Sequence, residues 1–507
     1  VRADPLLAES QARIRLSDLA AVVKPSSDGF EITGQITAEP LSINAVRLAT
    51  IPLSLIHGPV INGDFNATIG PQTEWSFTFE GKPTRRRIEL QSAGRQLTAL
   101  LADFQASARG GPEKMTTEYM AVLQGLGIRD DFLKASAAAL SVKGKTTIAS
   151  DNPDHQISEI GLTVSNVSGG TDKFKFSRGK AGYFATLQTG KAKAPKIFGS
   201  ARFSIGKITV TDSPAQILNI AGKLPLSWPP PNKSGKTGNF RIASASFQRY
   251  KLSDLTGVIH QTQSGFKVSG RHKDAIIPGL DLKFNGQSRL VGRGAPVVDF
   301  SASANRSEKA APIDLGALMP GGQGVELSGR LSAEAELHAS PGGTSGRSIL
   351  RLNDGRVQAS KQKFQIIGLN LNLEIPGLPV LRSAPGQELR FASATLGDIQ
   401  IKNGLVHFQI EPAPAILLER GQFNWSEGQV DMHSTRIYLE REDYDLTLFC
   451  DRLNLAVLLE QFGAADAEGN GTVSGKIPIR YRNQKWSVAD GFLCSSPGEG
   501  GQIGLAG

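Results

Sequence analysis

Two Gly-Lys-Thr segments, at 144–146 and 235–237, carry the residue types of a phosphate-binding loop. In such a loop, backbone N–H groups and the lysine hold the phosphates, and a further glycine is required five residues before the Gly-Lys pair. Here that position is occupied by Ala139 and Pro230, so both segments fail the motif. The glycines of 469–475 have one residue too many for a dinucleotide-binding turn, and no helical pattern follows them. We therefore predict no cofactor.

Histidine, cysteine and acidic residues form no catalytic or metal-binding pattern either. The seven histidines include no H-x-x-x-H or H-E-x-x-H spacing, and no G-x-S-x-G turn is present. Cys450 and Cys494 are too few for a zinc site, although they could pair in an oxidising compartment. A carboxylate pair for glycoside hydrolysis, involving Asp431 or Glu440, is an open alternative, but only four tryptophans are available as carbohydrate platforms. We predict no catalytic residue, no metal ligand and no enzymatic activity.

Apolar and polar residues alternate along the chain, which is typical of strands with one buried and one solvated face. Leu369, Leu371, Leu373 and Ile375 share one face of such a strand. The same period of two recurs at 30–36, 75–79, 406–410, 444–450 and 473–479. Asn-Gly and Asp-Gly pairs predict tight hairpin turns at 28–29, 62–63, 285–286, 354–355, 403–404 and 490–491. The chain is therefore predicted to be a long meander of hairpins.

Four short segments have helical spacing instead, at 97–104, 114–126, 215–221 and 455–462. In the second of them, Met115, Tyr119 and Leu126 lie near helical spacing, and Gly127 stands where a C-terminal cap would. We predict that these helices cap or plug the sheet.

Two breaks suggest a division of the chain. The Pro-rich stretch 228–238 is a predicted linker or loop, and 339–346 is a predicted loop. They separate an N-terminal β-groove segment with short helices (1–227), a central β segment (239–338) and a C-terminal β segment (347–507). The chain opens with Val1 rather than Met and ends at Gly507 within a strand pattern, so we expect it to be a piece of a longer protein.

A meander of this length can close into barrels, stack as sandwiches or curl into an open trough. A trough with its apolar face inward would expose a large apolar surface to water unless acyl chains filled it, and monomers rarely leave such large patches exposed. The residues alone leave sandwich and trough open. Lys+Arg exceed Asp+Glu, 56 to 47, which suits anionic lipid surfaces or nucleic acid. Because no nucleic-acid motif accompanies this charge, no nucleic-acid partner is predicted.

The C-terminal third carries a more specific pattern. The segment 453–462 is an L-x-x-L-L-type stretch, followed by Gly469-x-Gly471-x-x-x-Gly475-x-Ile477-Pro478, an Asp490-Gly491 strand and a Pro497-Gly498 turn. This series resembles the signature of YdbH-type members of the AsmA-like superfamily, which includes TamB. The hairpin of 352–371 is similar to those found throughout AsmA-like chains, whereas Gln429 departs from the usual small or aliphatic residue. The resemblance is diffuse over 240–338 and faint before that.

The resemblance implies a fold and a function. AsmA-like proteins are anchored in the inner membrane by an N-terminal helix, extend through the periplasm of diderm bacteria, and curl an antiparallel β-meander into an open groove. They are thought to move phospholipids between the inner and outer membranes. YdbH-type members are also thought to pair with a small outer-membrane lipoprotein by strand addition. The expected partners are therefore phospholipids, the inner membrane and such a lipoprotein. The alternative is an extended β structural or adhesin-like envelope protein without lipid cargo.

If the groove is real, acyl chains should contact the inward apolar positions of its strands. The residues predicted to line this track are Leu369, Leu371, Leu373, Ile399, Ile401, Phe408, Ile410, Leu446 and Leu448. The alternative for each of them is a place in a sealed sandwich core.

Overall fold

The structure is a computed structural model. It describes residues 11–44, 46–48, 51–92, 95–129, 134–190, 193–211, 214–231, 235–247, 250–274, 276–291, 295–318, 322–340, 342–360, 363–378, 380–412, 415–438, 443–462, 467–482, 485–498 and 502–505. The chain divides into two compact units, a first unit of 1–269 with 288–295, and a second unit of 270–287 with 296–507.

Strands, numbered in chain order, make up most of the described chain. The first half contains β1 (Gln11–Ser26), β2 (Gly29–Asn44), β3 (Val46–Leu48), β4 (Ile51–His57), β5 (Val60–Ile69), β6 (Trp75–Arg85), β7 (Arg87–Ser92), β8 (Arg95–Gly110), β9 (Lys114–Arg129), β10 (Lys134–Ala149), β11 (Asn152–Gly170), β12 (Phe174–Gly190), β13 (Lys193–Val210), β14 (Gln216–Trp228), β15 (Thr237–Phe247), β16 (Tyr250–Gln261) and β17 (Gly265–Lys273). The second half contains β18 (Leu280–Val291), β19 (Ala295–Arg306), β20 (Ile313–Asp314), β21 (Glu326–Ser340), β22 (Gly343–Ala359), β23 (Phe364–Ile375), β24 (Gln387–Leu396), β25 (Ile399–Glu411), β26 (Ala415–Trp425), β27 (Gly428–Met432), β28 (Thr435–Tyr438), β29 (Tyr444–Asn454), β30 (Ala467–Asn470), β31 (Thr472–Arg482), β32 (Lys485–Val488), β33 (Phe492–Ser495) and β34 (Gln502–Leu505). Within the described ranges the helices are α1 (Leu455–Gln461) and 3-10 turns at Pro71–Thr73 and Leu315–Ala317.

Pairing in each unit follows chain order and is antiparallel throughout. In the first unit β1, β2, β5, β6 and β8 to β16 pair in succession. Beside them, β4 pairs with β7, and β7 pairs with β8. In the second unit β19 and β21 to β27 pair in succession, followed by β29, β31 and β33. Among the described residues, no pairing joins β1 to any strand but β2. The predicted fold class, an all-β antiparallel meander curled into an open groove, is confirmed.

A line of left-handed residues crosses the first unit. Asn166, Asn219 and Asp254 have φ of +51°, +51° and +57° within β11, β14 and β16. These positions are aligned across neighbouring strands. Gly206 of β13 lies opposite Arg178 (φ +56°) of β12 on one side and opposite Asn219 of β14 on the other. We call this the bulge line, because one extra residue points outward in each strand. From β13 to β16 neighbouring strands skip together, so their register is not shifted at these positions.

The second unit, taken by itself, has left-handed residues of the same kind, which we also call its bulge line. Asp354, Gly368, Asn403 and Arg452 have φ of +49°, +70°, +54° and +51° in β22, β23, β25 and β29. In β29, Asp451 and Arg452 are both exposed, while the residues on either side of them are buried. The buried face is therefore the same before and after the bulge, although the alternation has skipped a residue.

The bulges explain three wrong helix predictions. The segments 97–104, 114–126 and 215–221 lie in strands or next to them, within or beside β8, β9 and β14. A bulge puts a spacing of three between inward residues, as from Ile217 to Ile220, and this spacing imitates a helical period. The predicted helix at 455–462 is confirmed as α1, which begins with the Asn454 side chain accepting hydrogen bonds from the backbone N–H groups of 456 and 457.

Four of the six predicted turns are wrong, and two of them, at 354–355 and 403–404, are wrong for the same reason. The pairs at 28–29 and 490–491 do connect strands, whereas those at 62–63, 285–286, 354–355 and 403–404 lie within strands. Asn and Asp tolerate positive φ in a bulge as readily as in a turn, so the dipeptide cannot distinguish the two. The stretch 339–346 is mostly the β21–β22 hairpin rather than a loop, and Glu440, one of the two possible glycosidase carboxylates, lies outside the described residues. The three-segment division stays a prediction.

Candidate functional site

The inner face of the first unit is formed by rows of directly paired apolar residues. Residues that pair across an antiparallel sheet share a face, so a row can be followed from strand to strand. The central row contains Ala21, Gly34, Phe65, Phe79, Ala106, Tyr119, Gly144, Ile160, Ala185, Gly199 and Leu226. It crosses eleven strands without a charged side chain.

A cavity of about 980 Å³ follows the central row. Seven successive strands, from β6 to β13 without β7, each contribute three consecutive residues to it, and the middle residue is always a member of the row. Small residues at Ala106, Gly144 and Gly199 leave this space open. At Gly144 a Cβ would overlap the ring of Tyr119, which therefore lies across the glycine.

The opposite face of the same strands carries the charged side chains. Glu118 and Lys145 pair there at 2.8 Å, and both side chains are nearly half exposed. The hydrogen bond and the charge of Lys145 hold the pKa of Glu118 below its usual value. The lysine of the Gly-Lys-Thr segment 144–146 is thus one partner of a surface ion pair.

Burial distinguishes the two faces. On β12, Ala185, Leu187 and Thr189 are buried, whereas Phe184, which precedes them and lies on the opposite face, is 59% exposed. Tyr183 lies on the inner face, and burial raises the pKa of its phenol. The inner face is therefore a less polar environment than the outer face.

The nine predicted track residues lie on the inner face of the second unit, on β23, β25 and β29. Leu371 and Leu448 belong to one row, which contains Leu331, Leu352, Leu371, Leu389, Val406, Gly421, Met432, Leu448 and Ile477. Leu369, Leu373 and Leu448 are buried, and the other six are partly exposed. Their contact with lipid stays a prediction.

Part of the predicted track is packed into a closed core beside α1. Leu448 belongs to a buried cluster with Trp425 and Leu458, and Ile399 and Ile401 pack against it. The Trp425 indole donates a hydrogen bond of 2.8 Å to Gln461 Oε1 at the end of the helix. Leu448 is thus buried in a core cluster in the structure, and whether it contacts lipid stays a prediction.

Sequence reasoning named no site residue in the first unit, where the family resemblance was faint. The usable signal was the pattern apolar, any residue, Asn or Asp, apolar, as at 164–167, 217–220 and 252–255. Each occurrence is a bulge that keeps both flanking apolar residues on the inner face. Following alternation through these positions would have given the rows.

Possible metal ligands and both thiols are present in the described part of the structure. No group of three or more His, Cys, Asp or Glu residues there is arranged to hold a metal ion. Cys450 and Cys494 are both free thiols; the first is buried and the second exposed. They lie on opposite faces, since the adjacent residues Gly475 and Ser474 pair with them. No described helix is long and apolar enough to span a membrane.

Comparison with known proteins gives one finding. The family model described as YdbH-like, intermembrane phospholipid transport protein YdbH, matches residues 133–503, well over half of the chain. The match reaches upstream of the C-terminal third in which the motif was recognised. No curated protein and no solved structure matches the chain significantly.

Proposed function

Because the chain belongs to the YdbH-like family of intermembrane phospholipid transport proteins, we propose that it carries phospholipids between the inner and outer membranes as a bridge-like groove. Acyl chains slide along the inward apolar rows, while headgroups stay near the open rim. Each methylene removed from water contributes ~0.8 kcal/mol, so burial along a row holds a lipid without a specific bond. The observation that supports this most is the uncharged central row across eleven strands.

The proposal also includes the cellular location of the protein and its protein partner. We propose a periplasmic protein that is anchored to the inner membrane in its full-length form. The resemblance also implies an outer-membrane lipoprotein that adds a strand to an open edge. Val488 of β32 and Phe492 of β33 are 62% and 59% exposed, and both strands pair with β31 among the described residues. An edge of this kind is the surface that strand addition uses.

The test is uptake of fluorescent phospholipid from vesicles by the purified chain. Leu371→Asp places a carboxylate in an apolar row and should lower uptake at least about tenfold, which corresponds to ~1.4 kcal/mol. Asn372→Asp is the matched control, because Asn372 is exposed on the outer face of the same strand. If Leu371→Asp unfolds the protein while the wild type takes up no lipid, the structural alternative without cargo is favoured.

A further inference from the structure

Resting on the proposed function, we propose that a band of uncharged polar side chains in the first unit binds the glycerol-ester and phosphate oxygens of a phospholipid. We define the polar band as Thr117, Thr146, Ser158, Gln156 and Thr189. The band orients the lipid, with its acyl chains directed toward the bulge line and its headgroup toward the nearer rim.

The polar band interrupts an otherwise apolar row. Thr117 pairs with Thr146 and Thr146 with Ser158, and the hydroxyl oxygens of Thr146 and Ser158 are 2.9 Å apart. The row contains Val23, Ile32, Ala67, Phe77, Ala108, Thr117, Thr146, Ser158, Leu187, Ile197 and Trp228. Three adjacent strands therefore carry hydroxyl groups where the other eight carry apolar side chains.

The next inward position toward the rim extends the polar band. Gln156 pairs with Thr189 there. Thr189 is 4% exposed, and its hydroxyl has no hydrogen-bond partner among the described residues. Buried hydroxyl groups are nearly always hydrogen-bonded, so an unpartnered one points to a ligand or a water that completes it.

The opposite end of the strands offers no equivalent. There the inward residues form a rim row of Leu55, Leu90, Leu97, Ile128, Ala135, Gly169, Phe176, Ile208, Ile217, Ala245 and Leu252. It crosses eleven strands with no hydrogen-bonding side chain. On β9 to β12 the inner face thus carries hydroxyl and amide side chains near one rim, beside Met115 and Ile148, and none in the row near the other.

The distances suit a lipid that points from the polar band to the bulge line. Thr117 lies eight residues from Gly125, which is about 26 Å along an extended strand. One leaflet's share of a bilayer core is about 15 Å, so the acyl chains end before the bulge line. In the other direction Thr117 lies three residues from Lys114, and the remaining ~10 Å leaves the headgroup near solvent.

The chemistry of the polar band fits oxygens common to all phospholipids. Hydroxyl and amide groups donate to ester carbonyl and phosphate oxygens, and no charged residue occupies a described inner position from β9 to β14. The charged pair Glu118 and Lys145 is on the outer face. Such a site fixes orientation without selecting a headgroup by its charge.

The test uses vesicles of phosphatidylethanolamine and phosphatidylglycerol that contain a photoreactive phosphatidylethanolamine. Its diazirine lies either beside the ester or at the end of the acyl chain, and cross-linked peptides of the whole chain are mapped by mass spectrometry. The ester-side probe should label around Thr117, Thr146 and Ser158, and the chain-end probe around Ala121 and Val142, which pair about four residues (~13 Å) further along the strands. Ester-side labelling at Ile128, or equally at both rims, overturns the orientation.

A double variant distinguishes the orientation of the bound lipid from the amount of lipid that the protein takes up. Thr146→Val with Ser158→Ala removes both hydroxyl groups of one pair and keeps the shape, so folding should be preserved. Ester-side labelling of the polar band should fall at least threefold while total lipid uptake is unchanged; the outer-face control Thr163→Val should change neither. Unchanged labelling in the double variant refutes the polar band. If no probe labels the wild type, the proposed function itself fails.

Discussion

The bulge line predicts how substitutions of Asn219 change the free energy of unfolding. Its φ of +51° is in the left-handed region, and its side chain is exposed. In this region a Cβ raises the conformational free energy of a residue by ~1–2 kcal/mol. The increase is smaller for asparagine and largest for a β-branched residue. Asn219→Val should therefore destabilise the protein by about 1–2 kcal/mol relative to Asn219→Gly, although valine is the better strand former.

The same reasoning extends to Asn166, which also has φ +51° and lies three strands away. Contributions from sites this distant usually add, so the double valine variant should lose about 2–4 kcal/mol. That is a large part of the ~5–15 kcal/mol by which folded domains are stable. The assay is equilibrium urea denaturation followed by the fluorescence of Trp228, which lies on the same strand as Asn219. If the valine and glycine variants are equally stable within ~0.3 kcal/mol, the bulge line is not a conformational requirement.

Three further predictions concern individual contacts. Trp425→Phe removes the hydrogen bond to Gln461 and should destabilise the α1 region by ~0.5–1.5 kcal/mol, measured as faster amide hydrogen exchange in the helix; unchanged exchange would contradict this. Burial raises the pKa of Cys450 to about 11, so iodoacetamide at pH 8 should alkylate the exposed Cys494 first, and equal labelling of the two would argue against the buried cluster. The pKa of Glu118 is lowered, so its contribution is present above pH 4.5 and lost as pH falls through the folded-state pKa; Glu118→Gln should flatten this acid-side dependence in thermal unfolding, and an unchanged pH profile would refute it.

Alternation predicted the strands where no bulge interrupts it, and it failed in parts of β8, β9 and β14. Leu369, Leu371 and Leu373 lie on one face of β23 as predicted, because a period of two survives wherever no bulge intervenes. The inner face could not be followed through Asn403 or Arg452 in the same way, since a bulge changes the spacing from two to three. The wrong helices and the wrong turns at 354–355 and 403–404 came from this one local feature.

The closed core around Trp425 was beyond reach of the sequence for a different reason. Whether Leu448 faces an open groove or the side of α1 depends on where the helix lies, and a local pattern does not encode that placement. The polar band was missed because Thr117 and Thr146 are ordinary strand residues, and only the register shows that they are adjacent.

The most direct test is native mass spectrometry, with lipid extraction, of the chain purified from cells without added lipid. The account predicts co-purifying phospholipid that is lost in Leu371→Asp and retained in Asn372→Asp. A stable, folded protein that carries no lipid and takes up none from vesicles would contradict it.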